Sequence, residues 1–324
     1  MKEFIINKND CNQRLDKFIQ KSIKSMPKSL MYKFIRQKKI KINGKKADIS
    51  AKLKENDVIQ MYINDEFFSS DSDENNFKNL KVNLDILYED NNILLLNKPV
   101  GLICHSDDKE NYNTLISHIK AYLFSKGEYI PEKENSFVPS LCNRIDRNTQ
   151  GIVIAAKNAA ALKIINEKIK NREIKKYYLC LVYKKPEKSH DILKGYMLKN
   201  SKTNTVKVYN KQIKDSKTAV TEYQCIASIK DISLLKIHLI TGRTHQIRCH
   251  MASIGHPLIG DGKYGQNTIN KNYPYRFQTL CSYKITFDFT TDADILNYLN
   301  KKSFTVKNID FVKKYFPDLN IENI

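Results

Sequence analysis

The chain has 324 residues, 41% hydrophobic and 28% charged, and its 55 Lys and Arg against 35 Asp and Glu give a formal net charge of +20. This content of apolar residues excludes a wholly disordered chain, and the length indicates about two domains of roughly 150 residues. The apolar runs are strand-sized and far shorter than the roughly 20 residues of a membrane helix, and the N-terminus lacks the apolar core of a signal peptide. We therefore expect a cytoplasmic protein without a membrane partner.

The positive charge favours a polyanionic partner, with nucleic acid ahead of acidic membranes. Half of the net charge lies in residues 1–64, which carry 16 Lys and Arg and 6 Asp and Glu. Apolar residues at helical spacing from Leu15 to Ile23 predict a helix there, and Pro27 opens a second one. Asn43-Gly44 is a strong hairpin signal. We predict a small basic α/β domain over residues 1–64.

The next segment, residues 65–80, is acidic and rich in Ser and Asn, which predicts a solvated linker. Residues 81–324 then form the main domain. Strand-like runs outnumber helical ones there, so the fold class is α+β, with a mixed, mainly antiparallel sheet and flanking helices. The predicted strands are 84–88, 93–97, 151–156, 177–183, 219–225, 234–240 and 280–289, and the predicted helices are 114–123 and 158–169.

The segment LCNRIDRNTQG, residues 141–151, is a polar loop before an apolar strand. A carboxylate at Asp146, flanked by Arg144 and Arg147, would remain ionised and could act as a nucleophile or a base. A turn in which Asp146 caps backbone amides is an equally simple interpretation.

The segment LITGRTHQIRCHMASIGHPLIGDGKYG, residues 239–265, predicts a helix capped by Thr241 or Gly242 that runs through Ser253. Its arginines and histidines lie at the helix start, where cations oppose the macrodipole unless an anion or a buried carboxylate is present. An alternative is a metal-dependent hydrolase, since His245 and Cys249 are four residues apart. Three further histidines complete that candidate ligand set: His238, His250 and His256.

Two further segments are weaker signals. In IKKYYLCLV, residues 174–182, alternation along a strand sends Tyr177 and Tyr178 to opposite faces, so one of them can enter a cleft. In LLLNKPVGLICH, residues 94–105, a strand ends in a turn at Lys98-Pro99.

Together these segments resemble one family, the RluA-class RNA pseudouridine synthases. The family's His-Arg-Leu-Asp signature is similar to Asn143-Arg144-Ile145-Asp146, its Lys-x-Tyr motif to Lys176-Tyr177-Tyr178, and its GRTHQIR motif is unaltered and ends at Arg248. RLDKF at residues 14–18 and the basic hairpin resemble the alpha-L RNA-binding module that many members carry in front. Two residues depart from the pattern, since Asn143 replaces a histidine and Gln150 replaces a serine.

The resemblance implies isomerisation of uridine to pseudouridine in RNA, expected on large-subunit ribosomal RNA, with transfer RNA possible. The target base would be flipped out of its helix, and the reaction needs neither cofactor nor metal. Asp146 is then the essential carboxylate, acting as a nucleophile or as a base on the sugar, Arg248 pairs with it, and Tyr178 stacks on the uracil. A noncatalytic RNA-binding or ribosome-assembly factor on the same fold is the main alternative.

The same resemblance suggests which cations contact RNA. Arg144 would hold the substrate around the flipped position, and Lys98, Lys176 and Arg243 would meet phosphates. Each of these side chains could equally be a solvated surface charge. The front module would grip structured RNA through Arg14, Lys33, Arg36, Lys38 and Lys39. A monomer is the simplest expectation.

Overall fold

A computed structural model describes residues 1–68 and 72–324, with the backbone alone for residues 72–75. The N-terminal domain is a four-stranded antiparallel sheet, in the order β1-β4-β2-β3, covered by two helices. The apolar faces of both helices meet the sheet in one core that includes Phe18 and Met31. The elements are β1 (Lys2–Ile5), α1 (Leu15–Ser22), α2 (Lys28–Arg36), β2 (Ile40–Ile42), β3 (Lys45–Lys46) and β4 (Val58–Met61).

The predicted hairpin turn between β2 and β3 is confirmed. Asn43 and Gly44 both have positive φ values, 51° and 74°, which is the backbone pattern of the two-residue turns that match strand twist. The two predicted helices are present as well. The small basic α/β domain therefore folds as its local sequence signals indicate.

The segment predicted to be a solvated linker carries aromatic side chains that pack. Phe67 and Phe68 lie against the N-terminal core, while Phe77 is 4% exposed and contacts Phe124 and Tyr129 of the larger domain. Burying such a side chain is worth about 1.5–3 kcal/mol, so Phe77 belongs to the larger domain and is not solvated. The rest of the prediction, for residues 69–71 and the side chains of 72–75, lies outside the described residues.

The larger domain is built on one sheet of eleven described strands, in the order β11-β10-β12-β13-β9-β14-β8-β6-β5, with β15 beside β14 and β7 beside β8. The pairing of β14 with β8 is parallel and the other pairings are antiparallel, so the predicted mixed, mainly antiparallel sheet is confirmed. The strands are β5 (Ile86–Glu89), β6 (Ile93–Lys98), β7 (Ser140–Leu141), β8 (Gln150–Ala156), β9 (Ile174–Tyr183), β10 (His190–Asn200), β11 (Thr205–Tyr209), β12 (Lys217–Ile229), β13 (Ile232–Leu239), β14 (Leu280–Phe287) and β15 (Ser303–Thr305).

Helices cover both faces of this sheet and create two separate cores. They are α3 (Leu115–Ser125), α4 (Ala159–Lys170), α5 (Gln246–Ser253), α6 (Asn267–Asn270) and α7 (Asp310–Tyr315). Along β9, Leu179 and Leu181 join the core under α4 and α7, whereas Tyr178 and Cys180 join the core under α3 and α5. Strand alternation therefore places Tyr178 on the face of the sheet that carries α5.

Gly151 at the start of β8 has a φ of 122°, and a Cβ at this position would lie 2.3 Å from the carbonyl oxygen of Ser282. A side chain there would push apart the parallel strands β8 and β14, whose pairing includes Gly151 and Ser282. Glycine at this position permits the close approach of the two strands directly after the loop that carries Asp146.

Helix α5 begins later than predicted. The predicted caps were Thr241 and Gly242, but the first helical residue is Gln246, and His245 before it adopts a left-handed φ of 52°. The side chain of Gln246 explains the difference, because its Oε1 accepts hydrogen bonds from the hydroxyl of Thr241 and the backbone N–H of Arg243. Residues 241–245 therefore form a loop that is hydrogen-bonded to Gln246. They are not the first turn of the helix.

The two domains contact each other through polar side chains. Asp10, which is fully buried, accepts hydrogen bonds from Ser136 Oγ at 2.5 Å and from Asn135 Nδ2 at 2.7 Å. Asn9 donates to Glu134 at 2.9 Å and accepts from the first backbone N–H of α4. These bonds hold the N-terminal domain against residues 134–136 and the start of α4. None of the described helices is long and apolar enough to cross a bilayer.

Candidate active site

The loop that carries Asp146, residues 142–149, is held by a side-chain bond to β8 and by a backbone bond within the loop. Asn143 Oδ1 accepts a hydrogen bond from the backbone N–H of Ile154 at 2.8 Å, and Thr149 N–H donates to the carbonyl of Asp146 at 3.0 Å. Asn143 is one of the two departures from the family pattern, and here its amide ties the loop to β8. The other departure, Gln150, donates to the carbonyl of Asn308 at 3.2 Å.

Lys98 donates hydrogen bonds to the backbone of the same loop and of the turn after β6. Its ammonium group donates to the carbonyls of Pro99, Leu102 and Arg147 at 2.7 to 2.9 Å, and its side chain is fully buried. Burial lowers the pKa of Lys98 to about 8. The prediction that Lys98 meets an RNA phosphate is therefore wrong, because its three donors are all used inside the protein. Lys98 instead fixes the backbone next to Asp146.

Asp146 and Arg248, which are 102 positions apart in the sequence, form an ion pair in which Arg248 Nη1 donates to Asp146 Oδ2 at 2.9 Å. The rest of the guanidinium is held by Asp261, through Nε to Oδ2 at 2.6 Å and Nη2 to Oδ1 at 2.9 Å. Asp261 is fully buried and Arg248 is 7% exposed. Arg248 is thus a bridge between two carboxylates, and the doubly bonded pair with Asp261 sets its orientation.

The carboxylates of Asp146 and Asp261 explain why a cation, Arg248, is stable in the first turn of α5. Burial alone would favour neutral forms, but the pair with Arg248 holds the pKa of Asp261 below its usual value, and the two carboxylates raise the pKa of Arg248. The position of Arg248 near a helix N-terminus had indicated a buried carboxylate nearby. The same argument could have identified Asp261, which lies in the GHPLIGDGKYG segment, but no role was assigned to it from the sequence.

The second oxygen of Asp146 is open. Among the described residues, the side chain of Asp146 has one hydrogen-bond donor, Arg248, and that bond goes to Oδ2. The side chain is 27% exposed. Oδ1 is therefore available to a substrate atom while Oδ2 is held in place, which is the arrangement that a nucleophile or a general base requires.

Tyr178 lies in the core on this face and is 5% exposed. Burial raises the pKa of its phenol and the nearby Asp146 carboxylate adds to the effect, so the side chain stays protonated near neutral pH. Tyr177 faces the opposite side of the sheet and stacks on His238 at 4.9 Å between ring centroids. The prediction that the two tyrosines point to opposite faces is confirmed.

The histidines and the cysteine proposed as metal ligands do not converge. His238 bonds to Glu222, His250 to the Thr221 hydroxyl, and His256 to the carbonyl of Tyr183. Cys249 donates to the carbonyl of Val206. The described part of the chain contains no group of three or more metal-ligating side chains, so the metal-hydrolase alternative loses the ligand set on which it depended.

His245 differs from the other histidines because it faces Asp146. Its Nδ1 lies 2.9 Å from the hydroxyl of Tyr264, and its Nε2 lies 3.9 Å from Asp146 Oδ2. Neither His245 as a neighbour of the carboxylate nor Tyr264 was recognised in the sequence.

The predicted RNA-contact cations fall into distinct environments. Arg144 is exposed and Arg243 is exposed with one bond, from Nε to the carbonyl of Thr218. Lys176 is half-buried on the same side of β9 as Tyr178. Its Nζ lies beside Gly242, 3.8 Å from the position that a Cβ of this residue would occupy. Burial lowers the pKa of Lys176. These three cations remain candidates for contact with RNA.

In the N-terminal domain, Arg14 is already engaged by Asp16, through two hydrogen bonds of 3.0 and 3.1 Å. The other four predicted contacts, Lys33, Arg36, Lys38 and Lys39, are exposed on α2 and the turn after it. None of these four forms an ion pair with a described residue, so they present an exposed cationic surface.

A second group of exposed cations was missed in the sequence. The hairpin of β10 and β11, the loop after it and the first residue of β12 carry seven exposed lysines, and none of the seven forms an ion pair within the described ranges. They are Lys194, Lys199, Lys202, Lys207, Lys211, Lys214 and Lys217. The hairpin is fastened beside the site, because Val206 N–H donates to the Tyr264 hydroxyl at 2.8 Å. We call residues 194–217 the lysine hairpin.

Comparison with known protein families agrees with this geometry. A family model described as RNA pseudouridylate synthase matches residues 92–253, which include Asp146, Tyr178 and Arg248. The chain belongs to the RNA pseudouridylate synthase family. An S4 domain model matches residues 13–59, inside the predicted basic module. In this pseudouridine synthase an S4 domain therefore precedes the family domain.

Curated relatives span nearly the whole chain. An uncharacterized RNA pseudouridine synthase of Mycoplasma capricolum is 37% identical over 97% of this chain and 100% of its own length. The ribosomal large subunit pseudouridine synthase C of Buchnera aphidicola subsp. Acyrthosiphon pisum is 32% identical over 91% of this chain and 95% of its own.

Solved structures confirm the fold. Human RNA pseudouridylate synthase domain containing 1 matches with a TM-score of 0.51 and 21% identity, over 73% of this chain and 96% of its own. Human RNA pseudouridylate synthase domain containing 4 matches with a TM-score of 0.53 and 18% identity, over 70% of this chain and 89% of its own. At these identities the match concerns the fold of this pseudouridine synthase alone.

Proposed function

We propose that this pseudouridine synthase acts on uridines of large-subunit ribosomal RNA, with Asp146 as the essential carboxylate. The observation that carries the proposal is the Asp146 side chain, whose Oδ2 is held by Arg248 and whose Oδ1 is open. The S4 domain, the lysine hairpin and the net charge of +20 support an RNA partner. The ribosomal substrate is suggested by the name of the Buchnera relative. One chain carries every proposed residue, so a monomer is sufficient. The location that we propose is the cytoplasm.

The reaction moves a bond within one nucleotide. The bond from ribose C1′ to uracil N1 breaks, the detached base turns in the pocket, and C1′ bonds to C5 of the uracil. C5 gives up a proton and N1 gains one, so no electrons are exchanged with a second substrate. Asp146 Oδ1 either attacks as a nucleophile or removes a proton from the sugar.

The other residues hold the reacting groups. The ion pair with Arg248 fixes Oδ2 of Asp146 and offsets the desolvation cost of a carboxylate in a partly buried site. In this proposal Tyr178 offers an aromatic face to the uracil. Arg144 is an exposed cation two residues before Asp146 in the loop, and it would hold the RNA around a uridine that has left its stack.

Release of tritium from uridines labelled at C5 tests the proposal directly. The substrate is unmodified ribosomal RNA, with a chelator present, and Asp146→Asn is compared with the wild type. The matched control is Asp318→Asn, which makes the same change at an exposed carboxylate of the C-terminal segment. We expect the wild type and the control to release tritium at equal rates and Asp146→Asn to be slower by about 10³-fold or more.

Failure takes two recognisable forms. If the wild type binds ribosomal and transfer RNA tightly but releases no tritium from either, the chain is an RNA-binding factor on a synthase fold. If Asp146→Asn keeps the wild-type rate, the carboxylate is not the one that reacts.

A further inference from the structure

His245 has an unusual backbone for the residue before a helix. A helix N-cap normally has an extended backbone and a side chain that accepts a hydrogen bond from the first turn. His245 instead has a left-handed φ of 52°, and its side chain makes no capping bond. Non-glycine residues in this region carry strain, and such strain concentrates at functional sites. Here the left-handed backbone accompanies a 9% exposed imidazole that faces Asp146.

The hydrogen bonds of Tyr264 determine which nitrogen of His245 carries the proton. The Tyr264 oxygen accepts a bond from the backbone N–H of Val206 at 2.8 Å and lies 2.9 Å from His245 Nδ1. Burial raises the pKa of Tyr264 to about 12, so the phenol keeps its proton. Among the described residues that proton has one acceptor, Nδ1. The neutral imidazole therefore carries its own proton on Nε2.

This Nε2–H points at the oxygen of Asp146 that Arg248 already holds. The distances to Oδ2 are 3.9 Å from His245 Nε2 and 2.9 Å from Arg248 Nη1. The ring of Tyr264 touches both donors, with the guanidinium 5.2 Å from its centroid and the imidazole edge-on at 5.6 Å. Hydrogen bonds at catalytic groups are often long before substrate binds and shorten in the complex.

We propose that His245 is a positioning residue for pseudouridine formation: with its tautomer set by Tyr264, it donates from Nε2 to Asp146 Oδ2 in the RNA complex and leaves Oδ1 to the uridine. This inference rests on the proposed role of Asp146. Two donors on one oxygen prevent the carboxylate from rotating, which a single donor does not. Burial lowers the pKa of His245, so the imidazole remains neutral and does not neutralise the carboxylate.

Four variants test the assignment in the full chain, using single-turnover rates and dissociation constants on the same ribosomal RNA. His245→Leu removes the donor, and His245→Gln restores an N–H near the position of Nε2. Tyr264→Phe removes the proton that sets the tautomer but keeps the ring against Arg248. The control is His256→Leu, which removes an imidazole that bonds to the carbonyl of Tyr183.

We expect His245→Leu to slow the single-turnover rate by about 10- to 100-fold, the loss typical of one hydrogen bond to a charged group, with the dissociation constant unchanged within about twofold. His245→Gln should recover most of that loss. Tyr264→Phe should slow the single-turnover rate of the wild type several-fold, yet leave that rate unchanged in the His245→Gln background, because glutamine has no tautomer to set. The bond from Val206 N–H to the Tyr264 hydroxyl is lost in both backgrounds, and any effect of that loss on the lysine hairpin should appear equally in both dissociation constants. His256→Leu should keep the wild-type rate.

Three results overturn the inference while Asp146→Asn remains inactive: a wild-type rate for His245→Leu, a His245→Gln variant no faster than His245→Leu, or a loss seen only in the dissociation constant. If His245→Leu fails to fold, the comparison of His245→Gln with and without Tyr264→Phe still decides the tautomer. A wild-type protein without turnover would overturn the proposed function itself, and that result is distinct from all three.

Discussion

A cation's position along the sequence does not reveal its environment, and Lys98 and Arg144 illustrate this. Both lie in segments that resemble family motifs, and both were predicted to contact RNA. Lys98 is fully buried with three carbonyl partners, while Arg144 is exposed. The difference arises from the tertiary fold, because the turn after β6 and the loop before β8 meet around the Lys98 ammonium. A buried charge is retained only where such partners converge.

Replacing Lys98 with methionine should separate support of the loop from contact with RNA. The substitution keeps a similar volume but leaves the carbonyls of Pro99, Leu102 and Arg147 without a donor, so we expect a loss of about 2–3 kcal/mol of stability. The single-turnover rate should fall by about tenfold or more as the Asp146 loop shifts, with the RNA dissociation constant unchanged. Urea unfolding and RNA binding measure the two effects.

Lys176→Met is the matched control, because the Lys176 ammonium has no hydrogen bond to a described residue. It should weaken RNA binding and leave the unfolding midpoint in place. Equal losses of stability in the two variants would contradict the supporting role of Lys98.

At the scale of elements, sequence patterns identified strands whose apolar residues are continuous, and also strands in which they alternate, such as β12. Strands β6, β8, β9 and β14 were predicted near their observed positions because both of their faces are buried. Strands β10 and β11 were missed, since exposed lysines interrupt their apolar positions. The start of α5 was misplaced by three or four residues, because a left-handed residue has no signature in the helical period.

The lysine hairpin should be an RNA-binding element. Neutralising Lys199, Lys202 and Lys207 to glutamine removes three exposed charges from a hairpin that is fastened to Tyr264. Because each phosphate contact releases condensed counterions, we expect weaker binding and a salt slope shallower by about 2 to 3 units of log K per log salt. Binding titrations between about 50 and 200 mM salt measure the slope.

The control is a triple variant outside the hairpin, Lys302, Lys313 and Lys314 to glutamine. Lys313 and Lys314 are exposed on α7, whose apolar side packs into the core under α4, and Lys302 is exposed directly before β15. The control changes the net charge by the same amount. If both triple variants flatten the salt slope equally, the hairpin contributes only to the overall charge.

At the scale of the whole molecule, the cationic surface of the S4 domain and the lysine hairpin belong to two domains joined by a polar interface. The interface bonds connect buried Asp10 to Asn135 and Ser136, and Asn9 to the start of α4. When the S4 domain is docked, an RNA bound to its cations holds the lysine hairpin at a high effective concentration. The contact with the hairpin then forms without the loss of affinity that a flexible connection between the domains would cause. Sequence patterns could not predict this interface, since its members are isolated polar residues more than 100 positions apart.

Replacing Asn135 and Ser136 together with alanine should therefore undock the S4 domain without removing any charge. Asp10 loses two hydrogen bonds at a buried site, and we expect RNA affinity to fall by about 10-fold or more while the salt slope stays the same, since the number of phosphate contacts is unchanged. Neutralising Arg36, Lys38 and Lys39 should instead lower both the affinity and the slope. Small-angle scattering should report a larger radius of gyration for the alanine variant. An unchanged radius with wild-type affinity would mean that the two domains act independently, and a flatter slope would mean that residues 135 and 136 hold the cations themselves in place.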